Sequence, residues 1–297
     1  MIDISRDQLD RLYKKQSTLL RAVGIVSIGS IILDLVLEIF IDLPLIADLL
    51  IIAVFPLIFI AAVRKDIIPE NNASKNVNEV MTYLKKDFTS DNAVNVLYTK
   101  IGAAATPVEK IQLICLLSDV YHFRDELQNS IALLNSVDRS VFRDHPSVGL
   151  TFYGEITGIY EDVGDYDSVL RAYNDAEPFI EECCRKNYIL CSGCVSIMSV
   201  VYKASGDYKK ALELHDLRSS YRKDLAQKTG NEGPHGFSSP LQRAIYACEL
   251  LSSAELYYLN GMYDMAAQAV DTAGPMVTDC PNALRHANEL SAKLRAR

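Results

Sequence analysis

The chain has 297 residues, 49% hydrophobic and 23% charged, with a formal net charge of −8. That acidic balance argues against a nucleic-acid binder, which carries a basic face, and the apolar fraction argues against disorder. A mean hydropathy of +0.07 is high for so charged a chain, so its apolar residues must be concentrated somewhere.

They lie at the front. Residues 1–21 read as a juxtamembrane helix, with Ser5 as cap and Gln8 three residues on. From Ala22 to Val63 there is no Lys, Arg or His. Two apolar runs, Ala22–Ile41 and Leu43–Val63, each reach the ~20 residues that cross a ~30 Å hydrocarbon core as a helix. Pro44 suits the first turn of the second run. Residues 22–63 therefore read as a transmembrane hairpin. A cleaved signal peptide fits less well, because the charged lead is long and a second apolar run follows at once.

Basic residues flank the hairpin on both sides: Arg6, Arg11, Lys14, Lys15 and Arg21 before it, Arg64 and Lys65 after it. The turn between the runs has none. The expected location is thus a cell membrane, multi-pass, with both termini and the body on the cytoplasmic side. Asp34, Glu38, Asp42 and Asp48 fall near the turn; Asp34, Glu38 and Asp48 could reach headgroup water, join helices in an oligomer or handle ions.

Residues 64–75 read as a polar linker. Residues 76–297 read as helices, beginning with the pair Val77–Asp87 and Asp91–Ala103, the second capped by Thr89, Ser90 or Asp91. Four segments then align without gaps: Ile114–Leu134, Tyr153–Tyr173, Val195–His215 and Leu250–Val270. Each has a Tyr at its eighth place: Tyr121, Tyr160, Tyr202 and Tyr257. The last three continue with Gly164, Gly206 and Gly261, then Tyr166, Tyr208 and Tyr263, then Val169, Ala211 and Ala266. The glycine can take the left-handed conformation that ends a helix. The small residue lets the next helix come close.

This pattern resembles the tetratricopeptide repeat family over roughly Pro107–Ala273. Tyr153, Ile156, Tyr160, Gly164, Tyr166 and Tyr173 fit it well, as do Val195, Met198, Tyr202, Gly206, Tyr208 and Ala211. Departures are present. Thr157, Ser199 and Ala254 replace the family's Gly, Asp125 stands where a turn Gly belongs, and the closing Pro is absent. The Tyr-to-Tyr intervals are 39, 42 and 55, against about 34 in the family. The resemblance implies an all-α chain: the hairpin followed by an α-solenoid of about four to five helix pairs. It also implies a groove for a protein or peptide partner. Groove-facing candidates are Gln112, Asp119, His122, Thr151, Glu161, Lys203, Glu255 and Tyr258.

No catalytic motif, and hence no catalytic residue, is found, and no cofactor is expected. His215 occupies a packing position and His235 a polar loop. Cys183, Cys184, Cys191 and Cys194 crowd into twelve residues. They read as buried structural thiols, with tetrahedral zinc or a redox pair as weaker alternatives. Two functions follow. The first is a membrane-anchored scaffold or adaptor that recruits a protein or peptide. The second is an accessory subunit whose acidic hairpin assembles in the membrane while the repeats regulate.

Overall fold

A computed structural model describes residues 4–40, 53–67, 74–186, 188–228 and 239–297. The described residues form thirteen α-helices and no strand. They divide into two compact units, Met1–Asn72 with Glu181–Ser192, and Ala73–Ile180 with Gly193–Arg297.

In the first unit, α1 (Arg6–Phe40) runs unbroken through the stretch read as juxtamembrane and into the first apolar run. The Ser5 hydroxyl accepts from the Gln8 amide at 3.2 Å, as the cap requires. Within α1, Arg6–Leu33 is long and apolar enough to cross a membrane. Helix α2 (Phe55–Ile67) packs against α1 and continues into the stretch read as linker. Ile25, Ile28, Leu57 and Ile58 each leave more than half of their surface exposed. The side chains of Asp34 and Glu38, and all of Asp42 and Asp48, lie outside the described residues.

The second unit begins with α3 (Lys75–Leu84), α4 (Asp91–Gly102), α5 (Pro107–Phe123) and α6 (Leu127–Asn135). A 3-10 turn (Arg139–Arg143) leads to α7 (Pro146–Asp162). Then come α8 (Tyr166–Lys186), α9 (Tyr188–Ala204), α10 (Tyr208–Lys228), α11 (Pro240–Leu259), α12 (Tyr263–Ala273) and α13 (Pro281–Arg295). Side chains fix several starts. Ser74, Ser90, Thr106 and Ser239 each accept a backbone amide three residues on. Prolines open α5, α7, α11 and α13, where a missing N–H costs nothing.

The turns after the four repeat tyrosines share one geometry. Asp125, Gly164, Gly206 and Gly261 have φ of 64°, 74°, 81° and 77°. The following amide reaches back to the tyrosine carbonyl in each case: Glu126 to Tyr121, Asp165 to Tyr160, Asp207 to Tyr202 and Met262 to Tyr257, at 2.8–2.9 Å. The left-handed residue's own amide bonds to His122, Glu161, Lys203 or Tyr258 at 2.9–3.0 Å. This double closure is the Schellman cap. The next residue opens the following helix, Asp165 capping Ser168 and Asp207 capping Lys210.

The small residues nine places beyond each tyrosine are Ser130, Val169, Ala211 and Ala266, all fully buried. Ser118 and Ser130 hydroxyls meet at 2.6 Å, and Ser199 donates to the Ala211 carbonyl at 2.8 Å. Small polar residues thus tie the two helices of a pair together. Of the repeat tyrosines, Tyr121 and Tyr153 are buried, while Tyr160, Tyr202 and Tyr257 are half-buried.

Gly206→Val places a β-branched residue at φ 81°, at a cost of about 1–2 kcal/mol. The expected result is a melting temperature lower by a few degrees, with Gly206→Asn affected less. A thermal melt of both variants checks it.

The late helices return to the early ones. Helix α13 packs on α5 as well as on α11 and α12. One core holds Val80, Leu97, Leu117 and Val120 from the early helices together with Leu251, Val277, Ala283 and Leu290 from the late ones. Arg285 donates to both carboxylate oxygens of Asp125 at 2.9 and 3.0 Å.

Candidate functional site: an interior chamber

The second unit contains a cavity of about 390 Å³. Its walls come from both ends of the unit: Met81, Leu84 and Phe88 on one side, Leu241 and Ile245 on the other. Between them lie charged groups from α5, α7, α9, α10 and α11. Four of the eight groove candidates line it: Asp119, His122, Glu161 and Lys203. His215, expected at a packing position, is 7% exposed, bonds the Ser253 hydroxyl at 2.7 Å, and also faces the cavity.

The other four candidates go elsewhere. Gln112 is buried in the first turns of α5, which α3 and α4 cover. Thr151 is exposed and spends its hydroxyl on the Ser147 carbonyl at 3.2 Å. Tyr258 stacks edge-on with Tyr263, under the guanidinium of Arg297. Glu255 sits behind the chamber, bonded to Lys203, with His286 Nε2 at 3.6 Å.

Most of the charges form closed networks. Lys203 is only 6% exposed and bridges Glu161, at 2.8 Å, and Glu255. Burial alone would lower the Lys203 value, but the two carboxylates drive it well above the lysine range. The same ammonium cannot serve both acids equally. Burial keeps Glu161 above the usual carboxylate range despite Lys203. Burial also pushes Glu255 up, but His286 and Lys203 together outweigh it and bring it down to about 2. Arg218 pairs with Glu249 at 3.4 Å.

His122 Nε2 lies 2.5 Å from Asp162 Oδ2, which also accepts from Asn282 of α13 at 3.0 Å. Burial would lower His122, yet Asp162 raises it above 6.5 on balance. Burial would raise Asp162, yet His122 and Asn282 hold it well below 3.8. The raised histidine contributes stability that is complete below pH 6.5 and is lost as pH climbs through its raised value. The depressed aspartate contributes stability that is complete above pH 3.8 and is lost as pH falls through its depressed value. The pair therefore supports the fold most between about pH 4 and 6.5. His122→Gln is expected to flatten the fall in melting temperature as pH climbs above about 6.5; melts at rising pH check it.

Asp119 on α5 and Glu155 on α7 differ from the rest. Their carboxyls act on each other electrostatically, and His122 draws Asp119 down. Burial raises both, and repulsion from Asp119 drives Glu155 further above the carboxylate range. Among the described residues no Lys or Arg is within ion-pair distance of either. Beside Glu155, Gly154 and Gly158 leave the wall of α7 bare, and a Cβ at either would meet nothing within 4 Å. Glu155, Gly154 and Gly158 escape a sequence reading, because an isolated Glu between glycines looks like any solvated helix face.

The cysteines correct in part the expectation of four buried structural thiols. All four are buried. Cys183 and Cys191 carry no disulfide, but Cys184 and Cys194 are disulfide-bonded. Among the described residues no group of three or more His, Cys, Asp or Glu is placed to hold a metal ion. His235 lies outside the described residues. No described protein family, no curated protein and no solved structure matches the chain.

Proposed function

We propose that the chain is a membrane-anchored adaptor whose tetratricopeptide-like α-solenoid binds a protein or peptide partner through the interior chamber. The observation that carries this is the convergence of Asp119, His122, Glu161 and Lys203, from α5, α7 and α9, on one cavity with apolar walls. Pockets of a few hundred Å³ with an apolar lining and a few convergent polar groups are the usual form of a binding site. The four Schellman turns support the solenoid reading. The exposed isoleucines and leucines of α1 and α2 support a lipid-facing hairpin, since water would penalise so large an apolar surface.

The test is site-specific photo-crosslinking of the full chain in native membranes. A photoreactive residue at Ser252, exposed on the chamber's lining, is expected to form protein adducts. The same residue at Gln128, exposed on α6, is the control. Adducts at Gln128 alone would overturn the proposal.

The basic flanks of the hairpin favour a cytoplasmic body. A second reading rests on the disulfide-bonded Cys184 and Cys194. Such bonds persist in oxidising compartments, which would place the body on the opposite side. Alkylation of the denatured, unreduced chain from native membranes decides between them. All seven cysteines react in the first case, and only the five free ones in the second.

A further inference from the structure

We propose that the partner polypeptide enters the chamber with an uncharged anchor, two apolar side chains of leucine or phenylalanine size. This deepens the adaptor reading and rests on it.

The charges already in the lining disfavour a charged occupant. Lys203 is held by Glu161 and Glu255, Arg218 by Glu249 and His122 by Asp162. An incoming anion would have to break one of these pairs, and breaking a buried pair strands its other member. Burial raises Asp119 and Glu155 toward the uncharged form, and His122 already acts on Asp119. Both are therefore weak counter-ions for an incoming cation. Polar groups are spent too. Ser199 donates to the Ala211 carbonyl at 2.8 Å, Ser252 to the Cys248 carbonyl at 3.1 Å, and His215 bonds the Ser253 hydroxyl at 2.7 Å. A polar ligand would give up its water here and regain few hydrogen bonds.

Apolar surface is what the lining leaves unused. Leu241 and Ile245 lie one turn apart on α11 and share its chamber face. Leu241 is 7% exposed, whereas Ile245 is 41% exposed. Met81, Leu116 and Val200, from α3, α5 and α9, line the same space and are only half-buried. Apolar side chains from four helices thus face a space that water fills at a cost. That space is about 390 Å³. A dry apolar cavity of ~150 Å³ takes up a molecule the size of benzene, so the chamber has room for roughly two groups of that size. Apolar side chains seated in a hydrophobic groove are a recurrent mode of peptide recognition.

The experiment uses the full chain in lipid nanodiscs and fluorescent nonapeptide pools. The central three residues are all Phe, all Leu, all Ser, all Lys or all Glu, and the flanks are random Gly, Ser, Asn and Gln. Binding to empty nanodiscs is subtracted. The better of the Phe and Leu pools is expected to bind at least about tenfold tighter than the Ser, Lys and Glu pools. Ile245→Ser should cut that preference at least about threefold. Leu284→Ser, at an apolar position 43% exposed that does not line the chamber, should leave it unchanged. Equal binding of the apolar and Ser pools would overturn the inference, as would a Lys or Glu pool that matches the apolar ones. Equal losses in the two variants, or no loss in Ile245→Ser, would overturn it as well. Dodecanol that binds as tightly as the apolar pools would also overturn it, because the occupant would then be a lipid chain. If Ser252 still crosslinks a protein while the pools show no preference, the adaptor reading stands and only the apolar-anchor inference fails.

Discussion

Lys203→Met is expected to lower stability by about 3–5 kcal/mol, the cost of leaving buried charge uncompensated. In a body of this size that is roughly 10 °C in melting temperature. The lysine is 6% exposed and its ammonium is the shared partner of Glu161 and Glu255. Methionine fills the stem's volume but leaves two carboxylates facing each other. Glu255 keeps His286 at 3.6 Å, whereas among the described residues no cation besides Lys203 is in ion-pair range of Glu161. The triple variant with Glu161→Gln and Glu255→Gln should therefore recover most of the loss, since neutral amides need no counter-ion. A melt of the single and triple variants checks this. If the single variant melts with the wild type, the ion network is not holding α7, α9 and α11 together.

Removing α13 is expected to have the next largest effect, and to show it far from the deletion. The helix buries Ala283, Ala287 and Leu290 in the core that also holds Val77 to Phe123. Loss of Leu290 alone costs about 2–5 kcal/mol. Asp125 and Asp162 also lose Arg285 and Asn282. Amide hydrogen exchange in α3, α4 and α5 should accelerate as much as exchange in α11 and α12. Leu284→Ala, at a position 43% exposed on the same helix, is the control and should change stability by less than about 0.5 kcal/mol. Faster exchange confined to α11 and α12 would mean that the early helices stand without the late ones.

Much of the helical layout was legible in the residues. Serine and threonine caps, prolines at first turns and the Gly-x-Tyr spacing are local signals, and each has a local cause in an unsatisfied amide or a positive φ. Asp125 shows how far such signals reach: its unit departs from the glycine pattern yet turns in the same way, because a short polar side chain tolerates the left-handed region. The chamber was half legible. Projecting one helix face found Asp119, His122, Glu161 and Lys203, but it also selected Thr151 and Tyr258, which face elsewhere. Asp162, Asn282 and His286 were missed because their partners lie on helices more than thirty residues away, His122 to Asp162 by 40 and Asn282 to Asp162 by 120. No periodicity in a window of one helix encodes such a meeting.

The return of α13 to α5 also bears on how the molecule forms. Cys280 donates to the Phe123 carbonyl, 157 residues away, and Arg285 meets Asp125 across 160. A linear repeat array folds by adding neighbours and frays from its ends. Here the two ends are pinned together, so neither can fray alone and unfolding should be cooperative. Closing a loop of that length carries an entropic cost on the order of 4–5 kcal/mol, and contacts of such long range slow folding. The two apolar walls of the chamber, Met81, Leu84 and Phe88 on one side and Leu241 and Ile245 on the other, lie more than 150 residues apart in the chain. A chain still being synthesised thus has no complete chamber until α11 has emerged and packed.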